Sequence, residues 1–342
     1  MAAKFGLTAA DGAAVAPALV QRIVDQAEGN PFYIEELINY LLARAVDPTD
    51  PGALVKLELP STLHNLVLSR VDQLSERQKI TIKVASVIGR TFQADWLWEA
   101  FPALRDRPST LGDLHALADR ELVVREPGDD EHAYFFRHVV TQGVTYESLP
   151  YATRSKMHEQ FGRFIETRYA AALDQYVNLL AYHYGQTENR AKKVRYLQQA
   201  GESAQAEYAN ESAIAYFQDL LPLVDAETQI GLRRKLGSVL QLLGRWDEAR
   251  AEFDRALHAA EAAVQAGEIA QCCFALAEHL RRRGEYGAAA AMLARAQEMF
   301  AAVDDATGLA TTYSTAGTLA AQQGRYDQAQ AEYGRAGHLP FP

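Results

Sequence analysis

Three stretches of similar sequence recur at a spacing of forty residues: GRWDEARAEFDRA (244–256), GEYGAAAAMLARA (284–296) and GRYDQAQAEYGRA (324–336). Each sets a glycine two places before an aromatic residue, then Ala, a large apolar residue and Ala. The positions are Gly244, Trp246, Ala249, Phe253 and Ala256; Gly284, Tyr286, Ala289, Leu293 and Ala296; Gly324, Tyr326, Ala329, Tyr333 and Ala336. A weaker copy with Ala213, Phe217 and Leu220 lies 36 residues upstream of the first. Such self-similarity restricts the chain to a stack of like units, because one unit alone has nothing against which to bury its apolar face.

The spacing says what the unit is. Ala, a large residue and Ala at i, i+4 and i+7 share one helical face, and the small residues let a neighbouring helix approach. The preceding segment has its own small–large pattern, Leu236-Gly237-Leu240 and then Leu276-Ala277-Leu280. The glycine before each aromatic suits a left-handed cap ending that first helix. Each unit therefore reads as an antiparallel helix pair. The pattern resembles the tetratricopeptide repeat (TPR) from about residue 194 to 338, with an irregular helical bundle as the alternative. It departs in period, forty residues in place of the usual 34, and segments such as EAAVQAGEIA between units imply longer helices. The last pattern ends at HLPFP with no polar terminal helix. An uncapped solenoid exposes apolar surface, so a longer natural protein is the expectation.

Residues 59–79, LPSTLHNLVLSRVDQLSERQK, place Leu63, Leu66, Val67, Val71 and Leu74 at helical spacing, with Ser61 after Pro60 as the expected N-cap. KITIKVASVIG, TFQADWLWEAF and STLGDLHALADRELV follow. Then LVVREPGDDEHAYFFRH sets two β-rich runs around Pro127-Gly128-Asp129-Asp130, the pattern of a hairpin over 122–137. Three helices and a hairpin are the winged-helix order. The third helix carries Asp113, Asp119 and Glu121 against His115 and Arg120, a poor match to phosphates. Net charge is −10, and no region is basic: residues 1–59 carry about −4, 60–168 about −1 and 169–342 about −5. Nucleic acid is therefore not an expected partner of this chain.

GNPFYIEEL (29–37), LPSTLHNLVLSRVDQL, ASVIGRTF, FRHVVTQGVTYESLPYATRSKMH and the TPR-like helices follow one another in an order that resembles the region after the P-loop core in bacterial STAND ATPases. That family includes LuxR-type transcription regulators and multidomain class III nucleotide cyclases. The resemblance implies that GNP opens a helix of the ATPase lid, that Pro31 contacts the nucleotide base, and that His138 senses the phosphates. It also implies a regulatory module closed on ADP and released by an inducer. The residues alone allow a plainer reading. Gly29 suits a left-handed turn, Pro31 a first helical position, and Glu35 and Glu36 the first turns of any helix. His138 equally suits a packed histidine between a strand and a helix. Arg154 and His158, four apart on a helix, suit either a phosphate or a carboxylate partner.

No G-x-x-x-x-G-K-[ST] sequence occurs, so no phosphate cradle is encoded here. No catalytic residues and no metal ligands are assigned, and the adjacent Cys272 and Cys273 offer neither a disulfide framework nor metal-ligand spacing. Cofactors are expected only for a full-length parent, as ATP or ADP with magnesium. The fold expectation is mainly α: lid-helix remnant (1–45), linker (46–59), winged-helix domain with one short hairpin (60–150), connecting helices (151–193) and TPR-like α-solenoid (194–342). The functional expectation is a non-catalytic regulatory segment that binds a protein, peptide or small-molecule inducer on the array. The alternatives are a stand-alone TPR adaptor, or part of a transcription regulator or adenylate cyclase whose DNA-binding or catalytic domain lies elsewhere. No apolar run reaches membrane-spanning length and no secretory signal is evident, which suits the cytoplasm. Oligomeric state and the identity of the ligand are not legible.

Overall fold

The computed structural model describes residues 15–44, 46–47, 49, 62–126 and 132–338. They fall in two compact units, Met1–Ala171 and Ala172–Pro342.

In the first unit, α1 (Pro17–Ala27) and α2 (Pro31–Ala43) form a helical hairpin. Glu28 and Gly29 turn the chain with φ of 48° and 81°. Asn30 then caps α2, its Oδ1 accepting from the Phe32 and Tyr33 amides at 3.0 and 3.3 Å. The hairpin packs against α3 (Leu63–Asp72) through Leu66. The cap of α3 is Thr62, whose Oγ1 accepts from the Asn65 amide at 3.2 Å; Ser61, the expected cap, lies outside the described residues. A capping box of Ser75 and Gln78 opens α4 (Glu76–Ile88).

Beyond it come β1 (Thr91–Gln93), α5 (Ala94–Ala100), α6 (Arg107–Asp119), β2 (Val123–Arg125) and β3 (Ala133–Phe136). The strands form one antiparallel sheet in the order β1-β3-β2. Two strands are legible in the sequence and the structure adds a third. Three residues are too few to show alternation, and β1 is held by its partner: Phe92, opposite Tyr134, lies between the Tyr134 and Phe136 rings at 6.1 and 6.0 Å. The Pro127–Asp130 turn lies outside the described residues. Asp113 does not face solvent from α6. It is buried, 2.9 Å from Arg77 Nε and 3.0 Å from Thr81 Oγ1. Helices α7 (Val139–Glu147) and α8 (Tyr151–Arg168) follow.

The second unit is helical among its described residues: α9 (Val177–Gly185), α10 (Arg190–Ala206), α11 (Asn210–Leu220), α12 (Ala226–Leu242), α13 (Trp246–Ala262), α14 (Ala266–Arg282), α15 (Tyr286–Ala302), α16 (Ala306–Gln322) and α17 (Tyr326–Gly337). From α12 to α16 every helix has 17 residues and every connection three, so the forty-residue period is two such steps. Gly244, Gly284 and Gly324 end their helices at φ of 74°, 78° and 73°. In each case the next amide bonds back to the carbonyl five residues earlier, as Arg245 does to Leu240 at 3.0 Å.

Within a pair, a small residue on the first helix receives the large residue sixteen positions on. A methyl group on Gly201 would lie 2.5 Å from the Phe217 ring, one on Gly237 2.7 Å from Phe253, and one on Gly317 2.8 Å from Tyr333. At the matching place in the α14–α15 pair stand Ala277 and the smaller Leu293, both buried. Ala249, Phe253, Ala289, Leu293 and Ala329 are core residues as read from the repeats. Trp246 (36% exposed), Tyr326 (74%) and Tyr333 (44%) are not enclosed, and the three cap glycines lie at exposed turns. Trp246, Tyr286 and Tyr326 each occupy the first position of a helix, where the chain is still leaving the turn.

The turns between pairs use the same left-handed geometry without glycine. Val264, β-branched and 83% exposed, has φ of 54°. Backbone strain of this kind costs on the order of 1 kcal/mol or more. Val264→Gly is expected to raise stability by about 1 kcal/mol despite the greater freedom of glycine in the unfolded chain. A chemical denaturation midpoint that falls or stays put contradicts this.

Candidate functional site

The two residues singled out for nucleotide contact are 107 positions apart in sequence. Pro31 is the first residue of α2, and His138 is the N-cap residue of α7, with no side-chain cap bond. The fold brings their surroundings together. Phe32, next to Pro31, packs on the His138 imidazole with ring centroids 4.0 Å apart, tilted by 34°. One turn along α2, Glu35 lies 3.8 Å from His138 Nε2 and 3.8 Å from Arg137 Nη2. Glu121, at φ of 58° after α6, reaches Arg137 Nη1 at 3.6 Å. Burial lowers the His138 pKa below the ordinary imidazole value, and the nearby Glu35 and Glu36 carboxylates oppose that shift in part.

Glu36 and Arg70 are the deeper pair. Glu36 is 1% exposed and Arg70 8%, and they form an ion pair. The Arg70 guanidinium also donates to the Arg120 carbonyl at the end of α6. Sequence reading gave Glu35 and Glu36 to the helix dipole. They stand instead in the second turn of α2, where the partners are side chains from other elements. A cleft of about 730 Å³ opens beside this cluster, lined by Asn39, Leu42, Arg70, Gln73, Arg120 and Glu121 among others. Chemically the cluster is a set of anion acceptors, Arg70, Arg137 and His138, already engaged by carboxylates of the same unit. The described residues contain no group of three or more His, Cys, Asp or Glu arranged to hold a metal ion.

His158 is fully buried, with Nε2 3.0 Å from Tyr146 Oη, while the Arg154 guanidinium lies 4.6 Å from the centre of the Tyr146 ring. Burial, and secondarily the Arg154 charge, push the imidazole down to about 4. A neutral, enclosed histidine fits structural packing. Cys272 and Cys273 are buried as well, and burial pushes the Cys272 thiol up to about 12, far from a reactive thiolate.

In the second unit, the first helices of successive pairs, α10, α12 and α14, line a groove of about 470 Å³ with Gln205, Arg234, Gln241, Phe274, Glu278 and Arg282 among its residues. Arg234 spans two of these helices, 3.0 Å from Glu268 Oε2 and 3.3 Å from Gln271 Oε1. His279, 3.0 Å from Gln241, fixes the groove side chain from behind. These polar residues carry no repeat signature and were not legible as a site.

Residues 228–302, which span α12 to α15, match the family model of the tetratricopeptide repeat. This stretch is a tetratricopeptide repeat array. No curated protein sequence matches the chain. Among solved structures, the chain is similar to BtubC (BKLC) from P. vanneervenii, at 20% identity and a TM-score of 0.41, covering 49% of this chain and 69% of that one. Aspartyl phosphate phosphatase F from Bacillus subtilis is similar at 14% identity and a TM-score of 0.43, with coverages of 92% and 73%. A signal transduction ATPase with numerous domains (STAND) and a tetratricopeptide repeat sensor, PH0952 from Pyrococcus horikoshii, is similar at 13% identity and a TM-score of 0.38. The match covers 97% of this chain and 52% of that protein, so this chain spans about half its length. Among the described residues, no helix is long and apolar enough to cross a membrane.

Proposed function

We propose that this chain is the non-catalytic regulatory segment of a STAND-type signalling ATPase, with the TPR array as its input surface. The observation that carries the reading is the contact of α2 with the start of α7, the helix that follows the α/β module of α4 to β3, where Phe32 and Glu35 meet His138. In a stand-alone adaptor the GNP phrase is only a helix start. Here the same helix is also bound to the one histidine that the family pattern singles out. The element order helix, strand, helix, helix, strand, strand over 76–136 and the β1-β3-β2 sheet support reading that module as a winged helix. On this reading Pro31 and His138 face the nucleotide when a P-loop core is present. The groove of α10, α12 and α14 takes a protein, peptide or small inducer, whose arrival shifts the balance between closed and open states. The output domain is a transcription factor or a cyclase outside this chain.

The chain by itself, lacking a phosphate loop, is expected to bind ATP no tighter than the millimolar range in calorimetry. Submicromolar affinity contradicts the reading. The coding sequence upstream of Met1 provides the direct test: an in-frame Walker motif supports a STAND parent, and a stop codon with no such motif favours the adaptor.

A further inference from the structure

We infer that the pocket between α9, α10 and α11 is a binding site for a free α-amino acid with an apolar or aromatic side chain. The pocket has a volume of about 440 Å³ and lies within the second unit, in the range of about 300–1,000 Å³ typical of small-molecule sites. Its apolar wall is Tyr182 of α9, Leu197 of α10, Tyr216 of α11 and Leu223 of the short turn Leu221–Leu223. Tyr216 Oη donates to Asn178 Oδ1 at 3.3 Å. Arg190 donates twice to the Leu223 carbonyl, at 3.0 and 2.7 Å, so ring and turn are both tied in place. Lys193 and Asp219 bring one charge of each sign to the same lining. Among the described residues neither has an ion-pair partner, and they do not pair with each other.

The repeats show this place in a closed form. At the offset of 36 that relates Gly201 to Gly237 and Phe217 to Phe253, the counterparts of Lys193, Leu197, Tyr216 and Asp219 are Gln229, Arg233, Glu252 and Arg255. Those four are one connected set: Arg233 reaches Gln229 at 3.5 Å and Glu252 at 2.8 Å, and Arg255 pairs with Glu252 as well. In the α12–α13 pair the charges are thus satisfied by the protein itself. In the α10–α11 pair the same places present two unmatched charges and an apolar wall to a cavity. Lys193 stands near the start of α10 and Asp219 in the last turn of α11, each against the sign of its own helix end. A ligand carboxylate beside Lys193 and a ligand ammonium beside Asp219 are therefore favoured by side chain and helix end alike. An α-amino acid carries both groups on one carbon and leaves its side chain for the tyrosine and leucine wall. The inference does not rest on the STAND assignment, and the groove of α10, α12 and α14 is lined by other residues.

Calorimetry on the full chain with L-phenylalanine and L-leucine tests it. Saturable, submillimolar binding of at least one of them is expected. N-acetyl-L-phenylalanine lacks the ammonium and L-phenylalanine amide lacks the carboxylate; each should bind about tenfold more weakly than phenylalanine. Lys193→Met and Asp219→Asn should each weaken phenylalanine by a similar factor. The losses should also cross: Lys193→Met leaves the affinity for the amide unchanged, and Asp219→Asn leaves that for the N-acetyl compound unchanged. No saturable heat with either amino acid overturns the inference. So do blocked analogues that bind as well as phenylalanine, or losses that do not cross. Leu197→Arg with Tyr216→Glu copies the closed arrangement and should abolish binding. Binding retained by that variant with its helicity and Tm intact places the ligand elsewhere and also overturns the inference. The sequence upstream of Met1 has no bearing on these outcomes, so the two readings fail separately.

Discussion

Gly237→Ala will destabilise the second unit, and adding Phe253→Leu will restore most of the loss. A methyl group at Gly237 meets the Phe253 ring at 2.7 to 2.9 Å at three ring atoms. Phe253, on α13, is itself buried against α12, next to His279 at 5.6 Å, which limits how far the ring can yield. Overpacking of this kind costs about 1–3 kcal/mol, and for a unit of this size each kcal/mol lowers Tm by roughly 2–4 °C. Phe253→Leu alone also destabilises, by leaving a void over the glycine. The double variant recreates the combination present one pair later, Ala277 with Leu293, in a backbone of the same helix length and turn. The cycle therefore predicts a favourable coupling of about 1 kcal/mol or more. Additive losses in the double variant, measured by thermal or chemical denaturation, contradict the pairing of position i with i+16.

Acidification from pH 7 to pH 4 will weaken the first unit through His158. In the unfolded chain its imidazole titrates near 6.5, whereas in the folded chain burial holds it neutral down to about 4. Between those values the unfolded state binds a proton that the native state does not, so stability falls as pH drops through that window. Above pH 6.5 the contribution is fully present. A shift of this size corresponds to something on the order of 3 kcal/mol. Trp96 lies 5.4 Å from Phe161 and hydrogen-bonds to Tyr169 at 3.0 Å, so its fluorescence reports on the packing of α8. With Trp246→Phe to silence the second unit, urea midpoints at pH 7.0, 5.5 and 4.5 should decline steadily. His158→Gln keeps a group able to bond to Tyr146 and removes the titration. Its midpoints should decline much less over the same range. An identical slope in both proteins assigns the acid sensitivity to other groups.

The candidate site was legible in pieces. GNP could be read as a capped helix start because Gly29, Asn30 and Pro31 act on their own backbone within a few residues. His138 could be singled out only by family pattern, since its sequence neighbours, Arg137 and Val139, say nothing of Phe32 or Glu35. Arg70 was missed altogether. It lies on an apolar helix between Val67 and Val71, and on a surface helix an arginine there is an ordinary solvated residue. Its burial depends on α2 arriving with Glu36 from 34 residues away and on the end of α6 presenting a carbonyl from 50 residues away.

What the sequence determined by itself is the array: helix pairs, their period, the glycine caps and the small and large residues of the shared core. Each of these follows from contacts within a turn or between adjacent helices, and repetition shows them several times over. The tertiary structure decided the rest. β1 exists because β3 lies beside it, since three residues make no strand alone. Asp113 turns inward because Arg77 and Thr81 meet it. Trp246 and Tyr326 stay at the surface because the turn geometry of their helices carries them past the core. Glu35 and Glu36 face Arg137, His138 and Arg70 because two apolar faces pack and carry the charges with them. Pairings between distant residues leave no periodic trace in a chain, and only the packed fold selects them.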